Sequence, residues 1–243
     1  MSDKFALITG GAKRIGANLA RFFHSSGYNI ILHYHNSAYE AEKISKSLNK
    51  LRKESCFLMQ CDFNEINSIE SIKNNVSLIT KKLDVLINNA SSFYETPIED
   101  ASTDQWKDLL DTNITTPLFL TQALVQHLKV TDGSVINISD SLVSSGIARY
   151  SLYSSAKSAL ENLTKSLAKE LAPEIRVNCI APGAILWPED KELSEKEKAE
   201  ILKNVSLRSI GKPEDISSTA LFLVQSSYIT GQIIKVDGGR FEL

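Results

Sequence analysis

Cysteine is scarce in this chain. Cys56, Cys61 and Cys179 are odd in number and form no C-x-x-C pair. They give no disulfide framework and leave the expectation of reduced, buried thiols in a cytosolic protein. Long apolar runs are missing as well. None approaches the ~20 residues that a spanning helix needs. Only Met1-Ser2-Asp3-Lys4 precede the first apolar run, so no secretory leader is expected. Neither sign of charge dominates: 27 Lys+Arg against 29 Asp+Glu give a formal net charge of -2. That balance excludes a dedicated nucleic-acid binder, which carries a strong basic excess. Proline and glycine are scattered and form no linker, and there is no repeat, so one domain over residues 1–243 is expected.

What the chain does have is apolar content. At 42% over 243 residues it is enough for a large core and excludes intrinsic disorder. Short β-branched or aliphatic runs alternate with longer amphipathic segments. The spacing predicts strands at Phe5–Thr9, Tyr28–Tyr34, Cys56–Gln60, Leu83–Ile87, Ser134–Ile138, Ile175–Ile180 and Gln232–Val236. Between them, Ile15, Leu19, Phe22 and Phe23 share a helical face that stops at Gly27. Ser102 and Gln105 form a capping box. Ala159, Leu160, Leu163, Leu167 and Leu171 line one stripe. Pro213-Glu214-Asp215 opens a helix that buries Ile216, Ala220, Leu221 and Val224. Continuous alternation implies parallel strands with right-handed crossovers, hence a three-layer α/β domain. Ligands in such sheets sit beyond the carboxyl ends of the strands.

The first of those ends reads Thr9-Gly10-Gly11-Ala12-Lys13-Arg14-Ile15-Gly16. Two glycines allow a tight turn, and the helix start offers unpaired N–H groups to a pyrophosphate. Gly16 lets the helix pack closely on the strand. Arg14 stands where the usual dinucleotide fingerprint has a small residue. It and Lys13 either meet the cofactor phosphates or are solvated surface charges. The second strand ends in His33-Tyr34-His35-Asn36-Ser37, with no carboxylate before Glu40 to grip a ribose 2′-hydroxyl. That end suits a 2′-phosphate and favours NADPH over NADH. His33 and His35 lack the partner set of a metal site, so none is expected.

Tyr153 and Lys157 lie four residues apart on a predicted helix and so share a face. An ammonium at that spacing is expected to lower the tyrosine pKa and make Tyr153 a proton donor near neutral pH. Together with Asn88-Asn89-Ala90 after the fourth strand, these elements resemble the short-chain dehydrogenase/reductase family over essentially the whole chain. The resemblance implies a Rossmann-type, doubly wound parallel sheet of about seven strands with helices on both faces. It implies catalytic roles for Tyr153 and Lys157, and for Asn113, which would hold a water that relays protons to Lys157. The implied cofactor set is Gly10, Lys13, Arg14, Ile15, His35, Asn36, Ser37, Asp62, Phe63, Asn89, Ala90, Ser91, Tyr153, Lys157, Pro182 and Gly183. Asp62 would meet the adenine, and Pro182-Gly183, after the sixth strand, the nicotinamide. A homotetramer is implied as well.

The family usually has a serine thirteen residues before its tyrosine; here that position is Asp140. An ionised carboxylate repels the alkoxide of ketone reduction, whereas an acid can protonate a substrate nitrogen. Asp140 therefore argues for a C=N bond, unless it turns away and Ser139 or Ser141 does the usual work. Phe93, in Ala90-Ser91-Ser92-Phe93-Tyr94, either stacks on a flat heteroaromatic ring or belongs to the core. These departures resemble the pteridine reductase subgroup: Arg14, the His33–Ser37 stretch, Asn89 to Tyr94, and Asp140–Tyr153–Lys157. The implied activity is NADPH-dependent reduction of dihydropterins, biopterins or folates to the tetrahydro form. Arg14 and Ser91 would bind the pterin, Phe93 would stack on it, and Asp140 with Tyr153 would deliver the proton. Asn36 departs from the arginine often found there. A 3-oxoacyl thioester is the alternative substrate. Residues 183–205, with Trp187 and a dense charge run, read as a lid; Trp187 either closes on ligand or makes no contact.

Overall fold

The computed structural model describes residues 3–65, 67–187 and 193–240. The described strands are β1 (Lys4–Ile8), β2 (Tyr28–Tyr34), β3 (Cys56–Gln60), β4 (Val85–Asn88), β5 (Ser134–Ile138), β6 (Arg176–Pro182) and β7 (Ile233–Val236). They form one seven-stranded sheet in the order β3-β2-β1-β4-β5-β6-β7, and every pairing is parallel. Chain order reverses between β1 and β4, so the crevice for a ligand opens there. Pro182 proves to be the last residue of β6 rather than part of the loop beyond it.

Side-chain alternation along the strands supplies both faces. Ala6 and Ile8 of β1, Val85 and Ile87 of β4, and Ile136 and Ile138 of β5 point into one apolar layer. Phe5 and Leu7, Leu86, and Val135 point into the other. The first layer is closed by α1 (Arg14–Ser25), α2 (Ala38–Leu51) and α8 (Pro213–Gln225). The second is closed by α3 (Ser68–Ile79), α5 (Thr116–Lys129) and α6 (Ser151–Glu170). Helix α4 (Thr103–Leu110) begins at the Ser102–Gln105 capping box and runs into a π-helical turn, Asp111–Thr115, ahead of α5.

The α6 stripe differs from its sequence pattern. The buried face is Tyr153, Ala156, Lys157, Leu160, Thr164 and Ala168. Ala159 is exposed and Leu163 and Leu167 are only half-buried. The polar members of that line are partnered by β5: Lys157 donates to the Ile138 carbonyl and Thr164 accepts from Asn137 Nδ2. Likewise α8 buries Leu223 more deeply than Leu221 or Val224.

Gly16 also has a different reason from the one expected. A Cβ there would lie 2.1 Å from the Gly10 carbonyl oxygen and 2.7 Å from Asn89 Nδ2, so its neighbour is the loop rather than the strand. Gly10 takes φ +61°, and a Cβ on it would come within 2.9 Å of Ala90 Cα. Gly16→Ala is therefore expected to lower unfolding stability by about 3 kcal/mol, as overpacking against backbone does. Denaturant titration measures it, and an unchanged midpoint contradicts the packing described.

Candidate active site

The ends of β4 and β5 and the first turns of α6 converge at Tyr153. Its hydroxyl donates to Asp140 Oδ2 at 3.2 Å. The other carboxylate oxygen, Oδ1, accepts the Leu142 amide at 2.9 Å. Asp140 thus points at the phenol and is held there by its own turn. Neighbouring Ser139 is committed elsewhere, donating to Glu161 Oε1 at 2.9 Å. Lys157 is 2% exposed and donates from Nζ to the Ile138 carbonyl at 2.8 Å. Its ammonium stands 6.0 Å from the centroid of the Tyr153 ring.

This geometry reverses one expectation. Burial, then the Asp140 charge and its hydrogen bond, push the Tyr153 hydroxyl well above its ordinary range. Burial and the Asp140 carboxylate, not Lys157, set the direction of the shift. Tyr153 is accordingly a firmly neutral phenol. Burial pulls Lys157 down to about 8, against the opposing pull of the Asp140 charge.

Asn113 sits in the π-helical turn, fully buried. Its Nδ2 donates to the Ser92 and Leu109 carbonyls at 2.9 and 3.0 Å, and its Oδ1 accepts the Ser91 hydroxyl at 2.7 Å. The side chain fastens the loop after β4 to the helix layer. A π-turn of this kind often marks a functional position.

That loop carries Phe93, which is 56% exposed, so the core reading fails. One face of its ring stacks on Tyr150, with centroids 4.7 Å apart and planes 9° apart. It also stands edge-on to Tyr153 at 4.8 Å. Tyr150 in turn reaches Glu95 Oε1 at 3.5 Å, and Glu95 pairs with Arg149 at 2.7 Å. Sequence reasoning missed Tyr150. Its spacing of three residues before Tyr153 places it on the same helical face and was the available signal.

Across the switch point lies the glycine loop. Asn89 Nδ2 donates to the Thr9 and Gly10 carbonyls, and Thr9 Oγ1 accepts the Asn89 and Ala90 amides. The loops after β1 and β4 are therefore one unit. Arg14 adopts φ +50°, a left-handed conformation costing a non-glycine residue about 1–2 kcal/mol. Its guanidinium donates to the Leu186 and Trp187 carbonyls at 3.3 and 3.1 Å. Arg14 thus connects the loop to the segment after β6. Lys13 pairs with Glu40 Oε1 at 3.2 Å. Glu40, the first carboxylate after β2, thus reaches the loop.

His35 and Asn36 are exposed beyond β2, Ser37 immediately precedes α2, and Ile15 is half-buried in α1. His35 Nε2 lies 3.3 Å from Asp62 Oδ2, and Phe63 stacks on His33 at 4.3 Å. Gly183 fits tightly, since a Cβ would come within 2.6 Å of the Asp237 backbone. Within the expected lid, α7 (Glu195–Lys203) buries no residue, while Val205 is buried and bridges to Arg240. Trp187 is half-buried. The first part of the charge run, through Lys191 and Glu192, lies outside the described residues. Cys56 and Cys179 are buried and Cys61 only partly so; all are free thiols.

A family model of the short-chain dehydrogenases, described as enoyl-(acyl carrier protein) reductase, matches residues 10–240. The chain belongs to the short-chain dehydrogenase/reductase family. Pteridine reductase 1 of Leishmania tarentolae is 34% identical over 276 residues, covering 96% of this chain and 95% of that protein. The 3-oxoacyl-(acyl-carrier-protein) reductase FabG of Chlamydia pneumoniae is 33% identical over 240 residues, covering 97% and 96%. FabG of Chlamydia muridarum is 35% identical, covering 98% and 97%. Identity alone does not choose a substrate among these, so the choice falls to the chemistry of the site.

Members of this family are oxidoreductases, and the donor set fits a nicotinamide dinucleotide. The glycine loop and Lys13 stand at the carboxyl end of β1, His35 and Ser37 flank the end of β2, and Asp62 follows β3. The Lys13–Glu40 pair is about half exposed and therefore screened by solvent. Among the described residues no group of His, Cys, Asp or Glu forms a metal site, and no helix is long and apolar enough to cross a membrane.

Lys157 gives a testable consequence. With its pKa lowered from 10.5 to about 8, the unfolded chain binds more protons between those values. Stability therefore rises with pH across that window and is reduced below it. Lys157→Met removes the buried charge. At pH 7 it is expected to gain up to about 3 kcal/mol relative to the parent, with the gain shrinking toward pH 10. Paired unfolding curves at the two pH values measure this; a pH-independent difference contradicts it.

Proposed function

We propose that this short-chain reductase uses NADPH to reduce a pterin of the dihydropterin, biopterin or folate type to the tetrahydro form. The observation that carries this reading is the Asp140 carboxylate, 3.2 Å from the Tyr153 hydroxyl. Hydride addition to a ketone builds negative charge on oxygen, which a carboxylate at this distance opposes. Hydride addition to a C=N bond instead leaves a nitrogen that is strongly basic. Such a nitrogen takes a proton even from a phenol held firmly neutral. Once protonated it is an N–H donor, for which the carboxylate is a partner rather than a repellent.

A bound nicotinamide supplies the hydride. The chain's residues do the rest. Tyr153 releases the proton, with Asp140 orienting the hydroxyl and accepting the new N–H. Lys157, close to the phenol ring, holds the nicotinamide ribose, and Asn113 supports the proton relay behind it. Phe93, backed by Tyr150 and exposed on its remaining surface, stacks on the pterin, with Ser91 at the ring edge. Arg14 reaches both phosphate and pterin from its strained position. Lys13, His35, Asn36 and Ser37 take the 2′-phosphate; Gly10, Ile15, Asp62, Phe63, Asn89, Ala90, Pro182 and Gly183 complete the dinucleotide site. Residues 183–187 and 193–205 are the described part of the expected lid over a single-domain site, with Trp187 against the substrate. Family resemblance supports a homotetramer, and the free thiols support a cytoplasmic setting.

The rival substrate is a 3-oxoacyl thioester, the chemistry named for the Chlamydia relatives. NADPH oxidation followed in parallel with dihydrobiopterin, dihydrofolate and an acetoacetyl thioester separates the two. Turnover with pterins supports the reading, and turnover only with the thioester overturns it. Tyr153→Phe is expected to lower pterin turnover by at least ~100-fold while leaving NADPH binding largely intact. Asp140→Ser is expected to lower pterin turnover by roughly tenfold or more, as loss of a charged hydrogen-bond partner does, and to admit ketone reduction. Unchanged pterin turnover in Asp140→Ser removes the carboxylate from the mechanism.

A further inference from the structure

His33 lies in β2 and is 2% exposed, yet both ring nitrogens and its carbonyl are engaged by neighbouring loops. The Gly10 amide donates to Nδ1 at 3.2 Å. Nε2 lies 3.0 Å from the Cys61 carbonyl. An amide N–H can only donate and a carbonyl can only accept, so the ring is the neutral Nε2–H tautomer. The Gly11 amide donates to the His33 carbonyl at 2.8 Å. One residue therefore takes up the amides of both loop glycines. The imidazole also stacks on Phe63 at 4.3 Å, and Asp62 and Phe63 directly follow Cys61. The ends of β1, β2 and β3 thus meet on a single ring.

We propose that His33 is a positioning residue for the dinucleotide: its Nδ1 sets the height of the phosphate loop through Gly10, and its Nε2–H ties that loop to the Asp62–Phe63 turn. The loop has little slack, because Gly10 already sits against the Ala90 backbone. A shift at the ring is therefore passed to the amides that follow. Protonation at Nδ1 would turn an N–H toward the Gly10 N–H and break the link. Burial holds the ring neutral, pulling its pKa to about 4, and the nearby His35 acts in the same direction. The inference rests on the dinucleotide reading above and not on the choice of substrate.

Two substitutions separate the ring's two contacts. His33→Asn keeps an acceptor where Nδ1 stands. His33→Gln keeps a donor reaching toward Cys61 but removes the acceptor beside Gly10. NADPH Kd is measured by fluorescence titration of the substrate-free protein at pH 7.5, with Tm recorded for each variant. The imidazole 15N shifts of the parent protein report the tautomer. The expected results are an Nε2–H signature and a His33→Asn Kd within about threefold of the parent. His33→Gln should weaken NADPH on the order of tenfold, the effect of one hydrogen bond, at a Tm similar to that of His33→Asn. Equal Kd in both variants, or an Nδ1–H signature, overturns the proposal. A parent protein that binds NADPH but reduces no pterin defeats the substrate reading alone. One that binds neither NADPH nor NADH defeats both.

Discussion

A phenol and a carboxylate share one hydrogen bond at the carboxyl end of β5, and most of the site is arranged around that contact. Tyr153 is buried, so its hydroxyl needs a partner, and Asp140 Oδ2 supplies it. The carboxylate in turn needs a fixed direction, which the Leu142 amide gives. Lys157 is kept off the phenol by its own bond to the Ile138 carbonyl. The result is a neutral acid beside a negative charge, with a buried cation close behind. That electrostatic arrangement suits a reaction in which a nitrogen gains a proton. It is poorly suited to one in which an oxygen must carry charge.

The scaffold places this contact where the doubly wound topology directs ligands, beyond the strand ends flanking the reversal at β1 and β4. Its loops are cross-tied rather than independent. Thr9 and Asn89 join the loops after β1 and β4, and Asn113 fastens the latter to the π-helical turn. Arg14 joins the glycine loop to the segment after β6. An Arg in left-handed backbone is a local cost, retained where its side chain spans between two ligand-facing segments.

Much of the fold was legible because the strands are apolar on both faces and the helices carry clear punctuation. Tyr28–Tyr34, Cys56–Gln60 and Ser134–Ile138 coincide with their predicted spans, and the other strands shift by a residue or two at their ends. The site was harder to read wherever distance along the chain concealed contact. Glu40 follows the end of β2 by six residues, yet helix α2 brings it to Lys13. Helical spacing places Lys157 beside Tyr153, but it cannot reveal the burial of the phenol or the Asp140 carboxylate beyond β5. The ring of His33 acquires its role only through tertiary neighbours. Gly16 announced close packing, but its partner, the Gly10 carbonyl, emerges only in three dimensions.

The most direct measurement is the distance between Asp140, Tyr153 and the nearest ring nitrogen in a crystal structure of the protein with NADP+ and dihydrobiopterin. The account predicts a pterin nitrogen at hydrogen-bonding distance, about 3 Å, from the carboxylate or the phenol, with Phe93 parallel to the ring. A pterin bound elsewhere, or Asp140 turned into an ion pair away from the heterocycle, would contradict it.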